Sequence, residues 1–80
     1  MNKEQIFVLA YFGKGKIVPR IFFWKGKVIK VEKLTYSWKT VDEGGIKIHF
    51  SIISGSFYYH LLYSLSSSRW YLIDVESTVI

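Results

Sequence analysis

Two histidines, His49 and His60, are the side chains in this sequence that most invite metal or proton-transfer chemistry. Placing a two-residue turn at Ser54-Gly55 makes them direct cross-strand neighbours on the less apolar face of a hairpin. Zinc wants three or four ligands, and no carboxylate or cysteine falls beside the pair on that face. Tyr58, Ser51 and Lys47 are poor substitutes, so the expectation is no metal and no other cofactor. Two histidines at a surface or a partner contact are the plainer reading. Even so, they would repel once protonated, which predicts a hairpin less stable in acid.

Other chemistry is thinner still. The six acids are scattered over Glu4, Glu32, Asp42, Glu43, Asp74 and Glu76 rather than gathered for acid–base work. No serine lies in a nucleophile-elbow motif, and Ser66 to Ser68 reads as a turn. Gly13-Lys14-Gly15-Lys16 places glycine beside lysine, as phosphate loops do. It lacks the longer P-loop spacing and its Ser or Thr, so a hairpin turn fits better. No catalytic residue is expected, and an enzyme is not.

The remaining signal is basic and aromatic. From Lys14 to Lys39 there are eight basic residues against the single acid Glu32, a net of +7. From Thr40 onward Lys47 and Arg69 face four acids, a net of −2. One part of the molecule should therefore attract anions. Lys14, Lys16, Lys25, Lys27 and Lys30 are placed to border Ile21, Phe23 and Val28, with Phe23 as the stacking ring. Lysines neutralise phosphates and an exposed ring stacks on bases. Arginine, the better reader of bases, is nearly absent. Lysines on a strand also guard an edge, while Phe23 packs in a protein contact.

These residues need strands to position them. Arg20 to Trp24 alternates in period two, and Lys25-Gly26 suits a tight hairpin turn, with Gly26 free to take a positive φ. Closing it pairs Trp24 with Lys27, Phe22 with Ile29 and Arg20 with Val31. Phe22, Trp24, Ile29 and Val31 then share one face; Ile21, Phe23, Val28 and Lys30 share the other. Alternation slips between the odd Ile29 and Val31 and the even Leu34, Tyr36 and Trp38. That slip predicts a bulge near Glu32-Lys33, which would bend a long strand as a small barrel requires. Pro19 suits a strand start.

Gln5 to Phe12 is apolar at consecutive positions, which predicts a strand covered on both faces or set in a subunit contact. It is too short to span a bilayer as a helix, and its flanks do not suit a signal peptide, so no membrane role is expected. Thr40 to Gly45 is predicted as a loop. In the Ser54-Gly55 register Ile52 meets Phe57, Phe50 meets Tyr59, Ile48 meets Leu61 and Ile46 meets Tyr63. The last strand, Arg69 to Glu76, offers either Trp70 and Leu72 or Tyr71, Ile73 and Val75 to the core, and Ser77 to Ile80 should fray.

The sequence thus predicts one all-β domain over residues 1–80, an antiparallel meander of five to six strands. It should form a bent sheet or a small, partly open, SH3-like barrel. The expected core is Phe22, Trp24, Ile29, Val31, Ile48, Phe50, Ile52, Phe57, Tyr59 and Leu61. The absence of cysteine fits a reducing, cytoplasmic setting. The expected role is a non-enzymatic binding module that contacts a protein partner or itself through an aromatic face. The alternative is a basic nucleic-acid-binding module.

Pro19-Arg20-Ile21-Phe22-Phe23-Trp24-Lys25-Gly26-Lys27 resembles the P-x-x-F-x-W-[KR]-G-[KR] opening of a small bacterial domain of unknown function. Trp38, Phe50-Ser51-Ile52, Tyr59-His60-Leu61 and Trp70 to Val75 extend the likeness over roughly Ile6 to Glu76. Such domains stand alone or lie near the C-terminus of Y-family-polymerase-like proteins that assist damage-induced mutagenesis. The resemblance implies a DNA-repair context and carries no catalytic residues. Here lysine replaces the family's common arginine, and the first strand is more apolar.

Overall fold

The computed structural model describes residues 3–79. Its seven strands are β1 (Glu4–Gly13), β2 (Lys16–Trp24), β3 (Lys27–Lys30), β4 (Lys33–Asp42), β5 (Gly45–Ser54), β6 (Phe57–Ser64) and β7 (Arg69–Ser77). All pairings are antiparallel and no helix occurs among the described residues. None is therefore long and apolar enough to cross a membrane.

The strand order is β3-β2-β1-β7-β6-β5-β4. The two edge strands, β3 and β4, are thus consecutive in the chain, with only Val31 and Glu32 between them. The Val31 amide donates to the Arg20 carbonyl of β2 (2.8 Å), and the Glu32 amide donates to Ile53 of β5 (3.0 Å). One ribbon changes partners between adjacent residues, and the sheet curls into a half-barrel.

Tight turns explain the register. Lys25 and Gly26 both have positive φ (50° and 73°), the paired requirement of a type I′ hairpin, and Lys14-Gly15 repeats it. Trp24 meets Lys27 and Phe22 meets Ile29, as the sequence predicts. At the β5–β6 turn only Gly55 is left-handed (φ 60°), and Ser54 pairs with Phe57. The loop is Gly55-Ser56, with glycine at the first central position, rather than Ser54-Gly55. The register moves by two residues, so Ile52 meets Tyr59, Phe50 meets Leu61 and Ile48 meets Tyr63. A shift of two preserves the faces. It also carries Phe57 to the strand's end, where it is 44% exposed instead of in the core.

Three bulges set the remaining faces. Arg20 is the extra residue of β2 opposite Leu9-Ala10, and the fully buried Pro19 lies beside it. Pro19 therefore sits inside β2 rather than at its start. It is tolerated beside a bulge and where β2 has no β3 neighbour. Thr35 is extra in β4, which turns Tyr36 and Trp38 to the side of His49 and away from the core. Ile73 is extra in β7. Trp70 and Leu72 face inward before it and Val75 packs against the core after it, so each predicted phase holds for part of the strand.

The core contains Phe22, Phe50, Ile52, Tyr59 and Leu61, joined by Ile6, Tyr63, Trp70 and Leu72. Trp24, Ile29, Val31 and Ile48 are half-buried against it. Phe22 and Tyr59 meet edge to face at 5.1 Å, and Phe50 lies 5.5 Å from Trp70. β4 extends to Asp42 and β5 begins at Gly45, so only Glu43-Gly44 remains of the predicted Thr40–Gly45 loop. Near the C-terminus the Thr78 amide donates to the Ser56 carbonyl (2.8 Å), while Ile80 lies outside the described residues.

Phe22→Ala should cost about 3–5 kcal/mol, because it empties a wholly buried site. Phe57→Ala should cost less than about 1.5 kcal/mol. Urea denaturation of the two variants checks the observed register; equal losses would contradict it.

Candidate functional site

The face of β1, β2 and β3 turned away from the core is built by parity. Ile6, Val8 and Ala10 point inward, which leaves Phe7, Leu9 and Tyr11 outside. Register then lines up two rows across the sheet: Phe7, Phe23 and Val28, and next to it Leu9, Ile21 and Lys30. Beyond the bulge Tyr11 stands opposite Val18. Phe7 is 65% exposed and Val28 63%, while Ile21 and Phe23 are half-buried. The Phe7 and Phe23 rings meet at 5.6 Å, and the Arg20 guanidinium lies 5.7 Å from the Tyr11 ring centre.

The five lysines separate into groups. Lys30 stands in the outer row opposite Ile21. Lys25 sits in the β2–β3 turn with its ammonium 4.8 Å from the Trp24 ring. Lys27, opposite Trp24, lines a hollow at that end with Ile29, Phe57 and Val75. Lys14 and Lys16 lie at the other end of the nine-residue β2. Lys16 borders a groove with Ile17, Leu34 and Phe50, between the start of β2 and β4. The fold therefore places Lys30 with Phe23 on the outer face, turns Lys25 and Lys27 toward Trp24 on the opposite side of the ribbon, and leaves Lys14 and Lys16 at the far end of β2.

Phe7, Leu9 and Tyr11 belong to this face; of the two expectations for this apolar run, a strand covered on both sides or one set in a subunit contact, the first does not hold within the chain. Their odd numbering was the available signal. Reading it required knowing that β1 has no second layer over its outer face.

The histidines form a separate cluster on the outer face of β4 to β7. With the observed register His60 stands opposite Ser51 and His49 opposite Leu62, so the rings meet diagonally rather than directly. His49 Nδ1 and His60 Nε2 are 2.9 Å apart, and His49 Nε2 lies 2.8 Å from the Thr40 hydroxyl. Trp38 stacks on His49 at 4.9 Å, nearly parallel. A single hydrogen bridges the two imidazoles, so two fully protonated rings cannot keep this contact. Among the described residues no three His, Cys, Asp or Glu groups gather as a metal would need.

Comparison with protein-family models, curated proteins and solved structures finds no match to this chain. The resemblance carried by Pro19 to Lys27, and by the segments from Trp38 to Val75 that extend it, therefore stands on the sequence alone.

Burial holds both imidazoles below the ordinary value of 6.5. At His49 the facing His60 and Lys47 add to the effect; at His60 the nearby Asp74 opposes it. A depressed histidine pKa means that the unfolded chain binds more protons in mild acid. Stability contributed by the neutral pair is therefore full above 6.5 and declines as pH falls below it. The urea midpoint should drop between about pH 7.5 and 5, and His60→Gln should make that decline shallower. An unchanged slope in the variant would remove the pair as its cause.

Proposed function

We propose that this chain is a non-enzymatic binding module that contacts a protein partner, or a second copy of itself, through the outer face of β1–β3. The single observation carrying this reading is the contiguous apolar surface of Phe7, Leu9, Tyr11, Phe23 and Val28 on a domain of 80 residues. Scattered exposed apolar side chains are ordinary, but two adjoining rows of them on a small domain are characteristic of contact surfaces. Three of those five side chains are aromatic, and Lys30 and Arg20 border them with positive charge. A cytoplasmic setting accompanies this reading, since the chain contains no cysteine.

Phe7→Ser combined with Val28→Ser should leave the thermal midpoint nearly unchanged, because both side chains are mostly exposed. It should abolish self-association in sedimentation velocity, or retention of a protein partner. The reading is overturned by a wild-type chain that stays monomeric when concentrated and retains nothing that the variant loses.

A second reading is nucleic-acid binding, favoured by Lys25, Lys27 and Lys30 at the β2–β3 hairpin, with Lys30 on the face of Phe23. The resemblance noted above gives it a DNA-repair setting. About three phosphate contacts would make the logarithm of affinity fall with that of salt at a slope near about −2 for single strands. Lys25→Glu with Lys27→Glu should then eliminate retention on single-stranded DNA. Salt-insensitive retention would exclude this mode.

A further inference from the structure

The outer face of β4 to β7 has the opposite character. Ser51 of β5 has Tyr36 as its β4 partner and His60 as its β6 partner, and Asp74 of β7 stands beyond His60. One pair further along, Tyr58 meets Glu76. Trp38 leans over the histidines from β4, 5.2 Å from His60. A serine among residues this large leaves a depression, and the resulting hollow of about 380 Å³ is lined by Trp38, Ser51, Tyr58, Tyr59, His60, Asp74 and Glu76.

Its lining carries two carboxylates, with no lysine or arginine, and of its aromatic residues Trp38 and Tyr58 lie on this outer face while Tyr59 belongs to the core. Among the described residues the only ion pair is Lys47 with Asp42, so Asp74 and Glu76 are unpaired. This acidic hollow occurs on a chain of net charge +5.

We infer that the hollow between Trp38, Tyr58, Asp74 and Glu76 binds an organic cation, the guanidinium or ammonium head of a basic side chain. Aromatic faces attract a cation through their quadrupole, and carboxylates neutralise it at the rim. A planar guanidinium can stack on the indole while its N–H groups fork toward two acids, so arginine is the better occupant. Anions are repelled by the same carboxylates, and His60 Nε2 is committed to His49 Nδ1. The surface is distinct from the apolar face of β1–β3, so Phe7→Ser with Val28→Ser leaves it intact.

The test follows the Trp38 indole N–H by NMR while N-acetyl-arginine methylamide, its lysine counterpart and its neutral citrulline counterpart are titrated. The arginine probe should shift Trp38 but not the buried Trp70, and should bind at least about tenfold tighter than citrulline. Asp74→Asn with Glu76→Gln should lower its affinity by at least about tenfold. Ser51→Val should block the hollow with both charges in place. Tighter binding of the lysine probe than the arginine probe would still support a cation site and assign it to an ammonium head. Equal binding of citrulline, binding that survives both variants, or no Trp38 shift up to the probe's solubility overturns the inference.

Discussion

The half-barrel depends on two consecutive amides that bond in different directions. Val31 completes the pairing with β2 and Glu32 begins the pairing with β5. Because β3 and β4 are the outermost strands, this joint forces the ends of the sheet together. A flat seven-stranded sheet of this order would separate its edges by about six strand spacings of 4.7–4.9 Å, far beyond the reach of two residues. Curling follows, and with it the enclosure of Phe22, Phe50, Ile52 and Leu61 between the two halves.

Much of this was legible from local rules. Lys-Gly turns demanding positive φ located two hairpins, and alternation identified most of the core. The faces of β5 and β6 followed even with the turn misplaced, because a displacement of two residues preserves parity. What escaped were the single-residue irregularities. The slip after Val31 was visible, but the second one at Thr35 was not, since Tyr36 and Trp38 look as apolar as core residues. Only the structure shows that they cover histidines. The two phases of β7 were likewise irreconcilable until Ile73 was seen to separate them.

The candidate sites were less readable than the fold. Charge along the chain separates a basic stretch from an acidic one. It could not reveal that β2 holds Lys14 and Lys16 apart from Lys25 and Lys27, because linear proximity says nothing about which end of a strand a residue occupies. The histidine contact was anticipated from a wrong register, and it survives because diagonal neighbours on a strand pair remain within reach of long side chains. The molecule thus has two chemically opposed outer faces, one apolar with a basic rim and one aromatic with acids.

Among the described residues the seam between β1 and β7 spans three residue pairs, from Glu4–Leu72 to Ile6–Trp70, whereas β4 and β5 share nine. The three-stranded flap of β1–β3 is therefore fastened to the remainder by a short clasp and the Val31–Glu32 tether. With so few ladder bonds at that seam, the hold of the flap on the opposite half falls to side chains, Phe22 against Tyr59 and Ile6 in the same buried cluster.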